Sequence, residues 1–153
     1  MTMSVTLKKY LAQQGIAYDI IPHRYTATAM NAATSAHVPS TMVAKSVILE
    51  DEDGYVMAVV PANQHVKLAK VNQHLGRRMG LATEPELQSL FSDCELGAIP
   101  AIGEAYGIET IVDDSLTSCP DVYIDAGDHE DFVHIKGVSF RKLMQHAEHA
   151  TIS

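Results

Sequence analysis

Two apolar runs dominate the middle of the chain. Residues 42–49, MVAKSVIL, and residues 55–60, YVMAVV, are rich in β-branched side chains and flank Glu50-Asp51-Glu52-Asp53-Gly54. Asp-Gly between two such runs is a tight-turn signal, so the pattern predicts a β-hairpin. A strand's period of two then places Val43, Lys45, Val47 and Leu49 on one face, and Ala44, Ser46 and Ile48 on the other. Elsewhere the apolar spacing is helical. Ser4 caps a helix carrying Val5, Leu7, Tyr10 and Leu11, with Gly15 at its C′ position. Ala29, Met30, Ala33 and Ala36 mark a helix over 26–37 that Val38-Pro39 stops, and Val66, Leu68, Val71 and Leu75 mark one ending at Gly76. Thr83 and Glu86 form a capping box around Pro85 and open a helix to about Phe91.

The remaining apolar stretches complete the plan. Residues 17–21, ended by Pro22, read as a strand, as do segments near 79–82, 109–112, 122–125 and 132–136, while 139–149 reads as a terminal helix. Strands and helices mix without strict βαβ alternation, which predicts an α+β (mixed α/β) fold: a single domain over 1–153 with a mixed, barrel-like sheet surrounded by helices. At 153 residues and 46% hydrophobic composition the chain suffices for one sizeable core. No segment has the apolar length of a membrane span or a signal peptide, so a cytoplasmic protein is expected. Cys94 and Cys119 are too few and too isolated for a disulfide framework or a metal site, and reduced structural thiols are expected.

Charge changes the picture by its distribution. The net charge of -8 argues against simple non-specific nucleic-acid binding. Residues 54–83, however, contain no Asp or Glu, and carry Lys67, Lys70, Arg77 and Arg78 along with His65 and His74. Residues 84–135 reverse this, with thirteen acids and no Lys or Arg. The first segment is either a polyanion-facing surface or a solvated helix face beside an acidic, solubilising one.

Candidate chemistry begins with Lys45. An unpaired ammonium among valines and a leucine is costly to bury, so it must snorkel to solvent, meet an anion or face a wet cavity. An edge-strand lysine that blocks aggregation and a ligand-binding lysine both fit. Residues 96–103, LGAIPAIG, form an apolar loop where polar residues are usual. Its glycines permit close backbone approach to a ligand and its proline fixes local φ, although a tight turn between core elements gives the same sequence. His129 lies in a turn between strands and is either a pocket residue or a solvated one. His23 is read as packing, and His146, Glu148 and His149 as an exposed helix end rather than a metal site. No GxSxG, P-loop or GxGxxG occurs, so neither an ordinary nucleophilic mechanism nor a cofactor is indicated.

Taken in order, several of these features resemble one known family. They are the strand Val43-Ala44-Lys45-Ser46-Val47-Ile48-Leu49, the Asp-Gly hairpin, the basic helix ending in Leu75-Gly76, and the loop Gly97-Ala98-Ile99-Pro100-Ala101-Ile102-Gly103. Glu109-Thr110-Ile111-Val112-Asp113 and Val122-Tyr123-Ile124-Asp125-Ala126-Gly127-Asp128-His129-Glu130 follow. The whole is similar to the YbaK/prolyl-tRNA-synthetase-associated editing domain family, trans-acting aminoacyl-tRNA deacylases, over nearly the full chain.

The resemblance implies a hydrolase of translation fidelity that cleaves the ester of a mischarged small amino acid on tRNA, with tRNA-Pro one candidate. Its partner would be the acceptor end of that tRNA, with an aminoacyl-tRNA synthetase as a further candidate, and neither DNA nor a membrane. Lys45 matches the family's functional lysine, which holds the aminoacyl-adenosine end. Gly97, Ala98, Ile99 and Pro100 match the loop whose backbone binds the aminoacyl group and positions water. Ser46, Ala101, Gly103 and His129 fall at substrate-binding positions, and Lys67, Lys70, Arg77 and Arg78 would face the tRNA. No metal and no cofactor is implied. The chain departs from the pattern at Ala101, where many members have a second proline, and at Ile21, where the cysteinyl-specific branch has tyrosine. Ser46 stands where alanyl-specific members tend to have Asn and cysteinyl-specific ones Thr. The alternative is a non-catalytic module of the same fold that binds a nucleotide, an amino acid or a synthetase.

Overall fold

The structure, a computed structural model, describes residues 3–153. Its centre is the expected hairpin of β2 (Val43–Asp51) and β3 (Gly54–Pro61), whose register runs from Ala44 opposite Pro61 to Asp51 opposite Gly54. Around it lie α1 (Val5–Gln13), β1 (Asp19–Pro22), α2 (Ala29–Ala36), α3 (Leu68–Leu75), β4 (Gly80–Leu81) and α4 (Glu84–Leu90). The chain ends with β5 (Glu109–Asp113), α5 (Asp114–Thr117), β6 (Asp121–Asp125), β7 (Asp131–Lys136), α6 (Gly137–Leu143) and β8 (Glu148–Ala150). The sheet order is β1-β7-β6-β2-β3-β5-β8, with β4 also on β2, and its parallel pairs are β2 with β6, β3 with β5 and β5 with β8. The sheet is therefore mixed, as expected, and it stays open because the end strands β1 and β8 do not pair.

The period of two in β2 sorts the core. Ala44 and Ile48 enter the largest apolar cluster with Leu7, Leu11, Phe91 and Phe140, whereas Val47 and Leu49 pack with Val71 of α3 and Ile152. Both faces of the sheet are thus covered, which is what a central strand bearing apolar side chains on both sides requires. A third, small cluster of Ala32, Ala33, Val43, Ala62 and Phe132 seats α2 against the start of β2.

One edge of β2 is shared by two strands. Val43 and Ala44 pair in parallel with Tyr123 and Ile124 of β6, while Leu49 and Glu50 pair with Leu81 and Gly80 of β4. Between them, at 45–47, no strand lies against this edge among the described residues.

Three helices are shorter than the pattern predicts. Helix α2 begins only at Ala29, with Thr28 as its cap, and α3 only at Leu68. At α3 the Lys67 N–H is taken by the Ile152 carbonyl at 2.8 Å, a tertiary bond that replaces the first turn. The terminal helix stops at Leu143, and residues 148–150 are a strand. The free edge of β5 outcompetes the helical spacing there: β8 pairs with it, Ile152 becomes fully buried, and Asp113 Oδ1 accepts from the Ile152 and Ser153 N–H groups at 2.8 and 3.1 Å. His149, expected on an exposed helix end, instead donates from Nε2 to the Met144 carbonyl at 2.9 Å. Among the described residues no helix is long and apolar enough to cross a membrane.

Candidate functional site

Lys45 stands at the gap in the sheet. Its Nζ donates to the Ala62 carbonyl at 3.2 Å, and among the described residues no carboxylate lies within ion-pair distance. Partial burial lowers its pKa from the ordinary lysine value, as expected when an ammonium loses water without gaining an anion. Two cavities meet at this side chain and at Ala29. The inner one, about 50 Å3, is lined by Lys45, Ser46, Gly97, Ile99, Asp125 and His129 over a floor that includes Phe132. The outer one, about 530 Å3, opens between Thr28, Met30, Asn63 and His65. A narrow inner chamber and a wide basin thus share one unpaired cation.

From the 96–100 loop, Gly97 and Ile99 line the chamber with Lys45. Gly97 has φ +82°, a left-handed conformation that glycine adopts without strain. Four hydrogen bonds hold the loop: Ala98 N–H donates to the Glu95 carbonyl at 3.0 Å, Glu95 N–H to the Gly127 carbonyl at 2.8 Å, Ser46 Oγ to the Ile99 carbonyl at 3.0 Å, and His129 Nε2 to the Leu96 carbonyl at 2.7 Å. Ser46 therefore acts on the loop from β2 while also lining the inner chamber. Among the described residues, the N–H groups of Gly97 and Ile99 have no acceptor within the protein. Two free backbone donors beside a half-buried lysine are suited to developing negative charge.

His129 is not a solvated turn residue. Its side chain is almost fully buried, its φ is +61°, and the Tyr25 ring meets it edge-on at 5.4 Å between centroids. Asp125, at the end of β6, accepts from Gly127 N–H at 2.8 Å through Oδ1, and its Oδ2 lies 4.0 Å from His129 Nδ1. Burial raises the Asp125 carboxyl above its ordinary range. Sequence patterning gives no reason to single out Asp125, which sits on the polar side of an alternating strand. The parallel register of Ala44 with Ile124 brings it to the chamber, and no spacing within either segment encodes that pairing.

The other predicted residues are distributed more widely. Ala98 and Ala101 are fully buried, and Ala101 joins the main core. Gly103 is also buried, and a Cβ there would stand 2.1 Å from Thr110 Oγ1 and 2.9 Å from the Ile108 carbonyl, so close packing explains the glycine. None of Ala98, Pro100, Ala101 and Gly103 lines the chamber, and Pro100 is buried. Lys67, Lys70 and Arg78 are exposed. Arg77 is held by Asp51 through Nε at 2.8 Å and Nη2 at 2.6 Å, with Nη1 at 3.1 Å from Glu109 Oε2. Asp51 lies six residues along β2 from Lys45, roughly 20 Å at strand rise.

Residues 23–143 match the family profile of the aminoacyl-tRNA editing domain. No curated protein matches the chain significantly. Among solved structures, one described as a candidate trans-editing enzyme for prolyl tRNA synthetase superposes with TM-score 0.85 at 20% identity, covering 98% of this chain and 96% of that one. A scaffold from computational grafting of linear epitopes gives 0.84 at 16% identity, covering 98% and 96%. A protein from Marinobacter aquaeolei, described as a candidate signal transduction protein, gives 0.80 at 18% identity, covering 99% of this chain but 31% of its own. At these identities the likeness establishes the fold alone.

Proposed function

Because this chain belongs to the aminoacyl-tRNA editing domain family, we propose that it is a trans-acting deacylase hydrolysing the ester between a mischarged small amino acid and the 3′ adenosine of a tRNA. The single observation that carries this reading is Lys45, an ammonium without a carboxylate partner at the junction of a narrow chamber and an open basin. The chamber takes the aminoacyl group and the basin the terminal nucleotide, so the scissile ester lies beside Nζ. Such an ester is already activated, and the protein has only to position water and stabilise the oxyanion. Lys45 anchors the substrate end, and the free N–H groups of Gly97 and Ile99 receive the charge on the carbonyl oxygen. The ribose 2′-hydroxyl beside the ester assists the attack of water on the carbonyl carbon.

The small inner volume favours a small side chain. The relative described as a candidate trans-editing enzyme for prolyl tRNA synthetase makes tRNA-Pro the first substrate to test. We place the activity in the cytoplasm, with a synthetase as a candidate partner, and assign the tRNA phosphates to Lys67, Lys70 and Arg78. A deacylation screen over tRNAs charged with small near-cognate amino acids tests the reading. At least one is expected to be hydrolysed, and Lys45→Ala should lower kcat/KM on it by on the order of 100-fold with an unchanged thermal melt. Equal rates in the two proteins would remove Lys45 from the mechanism.

A further inference from the structure

The inner chamber has two electrical poles, and the deacylase reading uses only one. Lys45 is its cation, and Asp125 is the only carboxylate among its lining residues. Asp125 Oδ1 accepts from the Gly127 N–H, the backbone N–H of His129 also leans on this carboxylate, and no side chain among the described residues donates to Oδ2. His129 Nδ1 is 4.0 Å from Oδ2, too far for a direct hydrogen bond.

The other side of that imidazole is fixed by the loop. The Leu96 carbonyl can only accept, so the hydrogen in the 2.7 Å contact resides on His129 Nε2. The other ring nitrogen, Nδ1, lies on the Asp125 side of the ring, 4.0 Å from Oδ2. A donor with several N–H bonds fits between the Asp125 carboxylate and this ring nitrogen. Acceptors 4.0 Å apart can each lie about 2.8 Å from one nitrogen, the usual length of a charge-assisted hydrogen bond. Tyr25 edge-on, the Leu96 carbonyl and the Gly127 N–H fix both acceptors in place.

We infer that Asp125 Oδ2 and His129 Nδ1 form the recognition site for the α-ammonium group of the aminoacyl substrate, so that the enzyme selects free α-aminoacyl esters over esters without that charge. The inference rests on the deacylase reading and adds the group by which the substrate is oriented. With the ammonium between Asp125 and His129, the ester carbonyl is turned towards Lys45 and the 97–99 backbone across the chamber. Burial of Asp125 without a cation is consistent with this, because its raised pKa marks a carboxylate that a bound cation would stabilise.

The test uses two non-hydrolysable ligands, 3′-alanylamino-3′-deoxyadenosine and its 3′-lactylamino counterpart, which differ only in an ammonium against a hydroxyl. Calorimetric titration of the wild-type protein should show about tenfold or greater preference for the ammonium ligand, the size expected for hydrogen bonds to a charged group. In Asp125→Asn, which keeps the acceptor for Gly127 N–H, the ratio should fall to about one. Equal affinities in the wild type would overturn the inference without any variant, and so would a preference preserved in Asp125→Asn. Deacylation by the wild type reports separately on the underlying reading: a protein that prefers the ammonium ligand but hydrolyses no aminoacyl-tRNA keeps this site and loses the deacylase assignment.

Discussion

The two ends of β2 treat their cations in opposite ways. At one end Lys45 is half-buried, donates to a single backbone carbonyl and has no carboxylate partner among the described residues. At the other, Arg77 makes a two-pronged bond to Asp51 and a third contact to Glu109. Arg77 is satisfied by its surroundings and tightens them, holding Asp51 at about 2, well below the usual carboxylate range. Lys45 is unsatisfied by its surroundings, and its lowered pKa records that cost. A cation that the fold has neutralised is part of the scaffold, whereas one left unpaired at the mouth of a cavity is available to a ligand.

The sharpest way to break this contrast is to replace each cation with methionine and measure melting and turnover together. Lys45→Met removes a partly desolvated charge that gains nothing from an ion pair, so Tm should hold or rise slightly while deacylation collapses. Arg77→Met leaves Asp51 and Glu109 facing each other, so Tm should drop by several degrees with turnover retained. A large Tm loss in Lys45→Met would mean that the lysine supports the fold, and the contrast would disappear.

Much of the scaffold behind this contrast was legible in the chain. The hairpin followed from β-branched runs around Asp-Gly, and the capping box of Thr83 and Glu86 followed from spacing alone; both depend on residues close in sequence. Lys45 and the 97–100 backbone were legible as a pair of irregularities, a charge in an apolar strand and an apolar loop. Three things were not. The conversion of 148–150 to a strand depends on a free edge of β5 that exists only after folding. The pairing of Arg77 with Asp51 joins residues 26 positions apart, so a basic segment in sequence is partly neutral in space. Asp125 reaches the chamber through a parallel register between β2 and β6, a long-range choice that neither strand's own pattern encodes.

Acid sharpens the comparison with a smaller effect. The Asp51 pKa is depressed in the folded protein to about 2 by the Arg77 guanidinium, against roughly 4 in an unfolded chain. A depressed carboxylate pKa contributes stability that is complete above the unfolded value and is lost as pH falls through the folded one. The loss should therefore appear between about pH 4 and pH 2. In that window urea or thermal melts of the wild type should weaken more steeply with acid than those of Arg77→Met. Lys45→Met should follow the wild-type slope there, since a lysine with a lowered pKa releases its proton on the alkaline side. Parallel acid profiles for the wild type and Arg77→Met would show that the ion pair contributes nothing.

The smallest effect separates two neighbours in sequence. Arg77 and Arg78 are adjacent, yet Arg77 is engaged by Asp51 and Glu109 while Arg78 is exposed, as is Lys67 at the start of α3. A side chain that neutralises a phosphate releases a counterion, and removing one such cation should reduce the slope of log K against log salt by about 0.7 to 0.9. Lys67→Ala and Arg78→Ala are expected to lower the tRNA-binding slope by up to that amount each, measured by filter binding or anisotropy across a salt series. Arg77→Met should leave the slope where it is, because its charge is already matched within the protein. If Arg77→Met instead flattens the salt dependence as much as Arg78→Ala does, the Asp51 pair opens to receive tRNA. The hairpin end of β2 would then be a second ligand-facing end rather than a purely structural one.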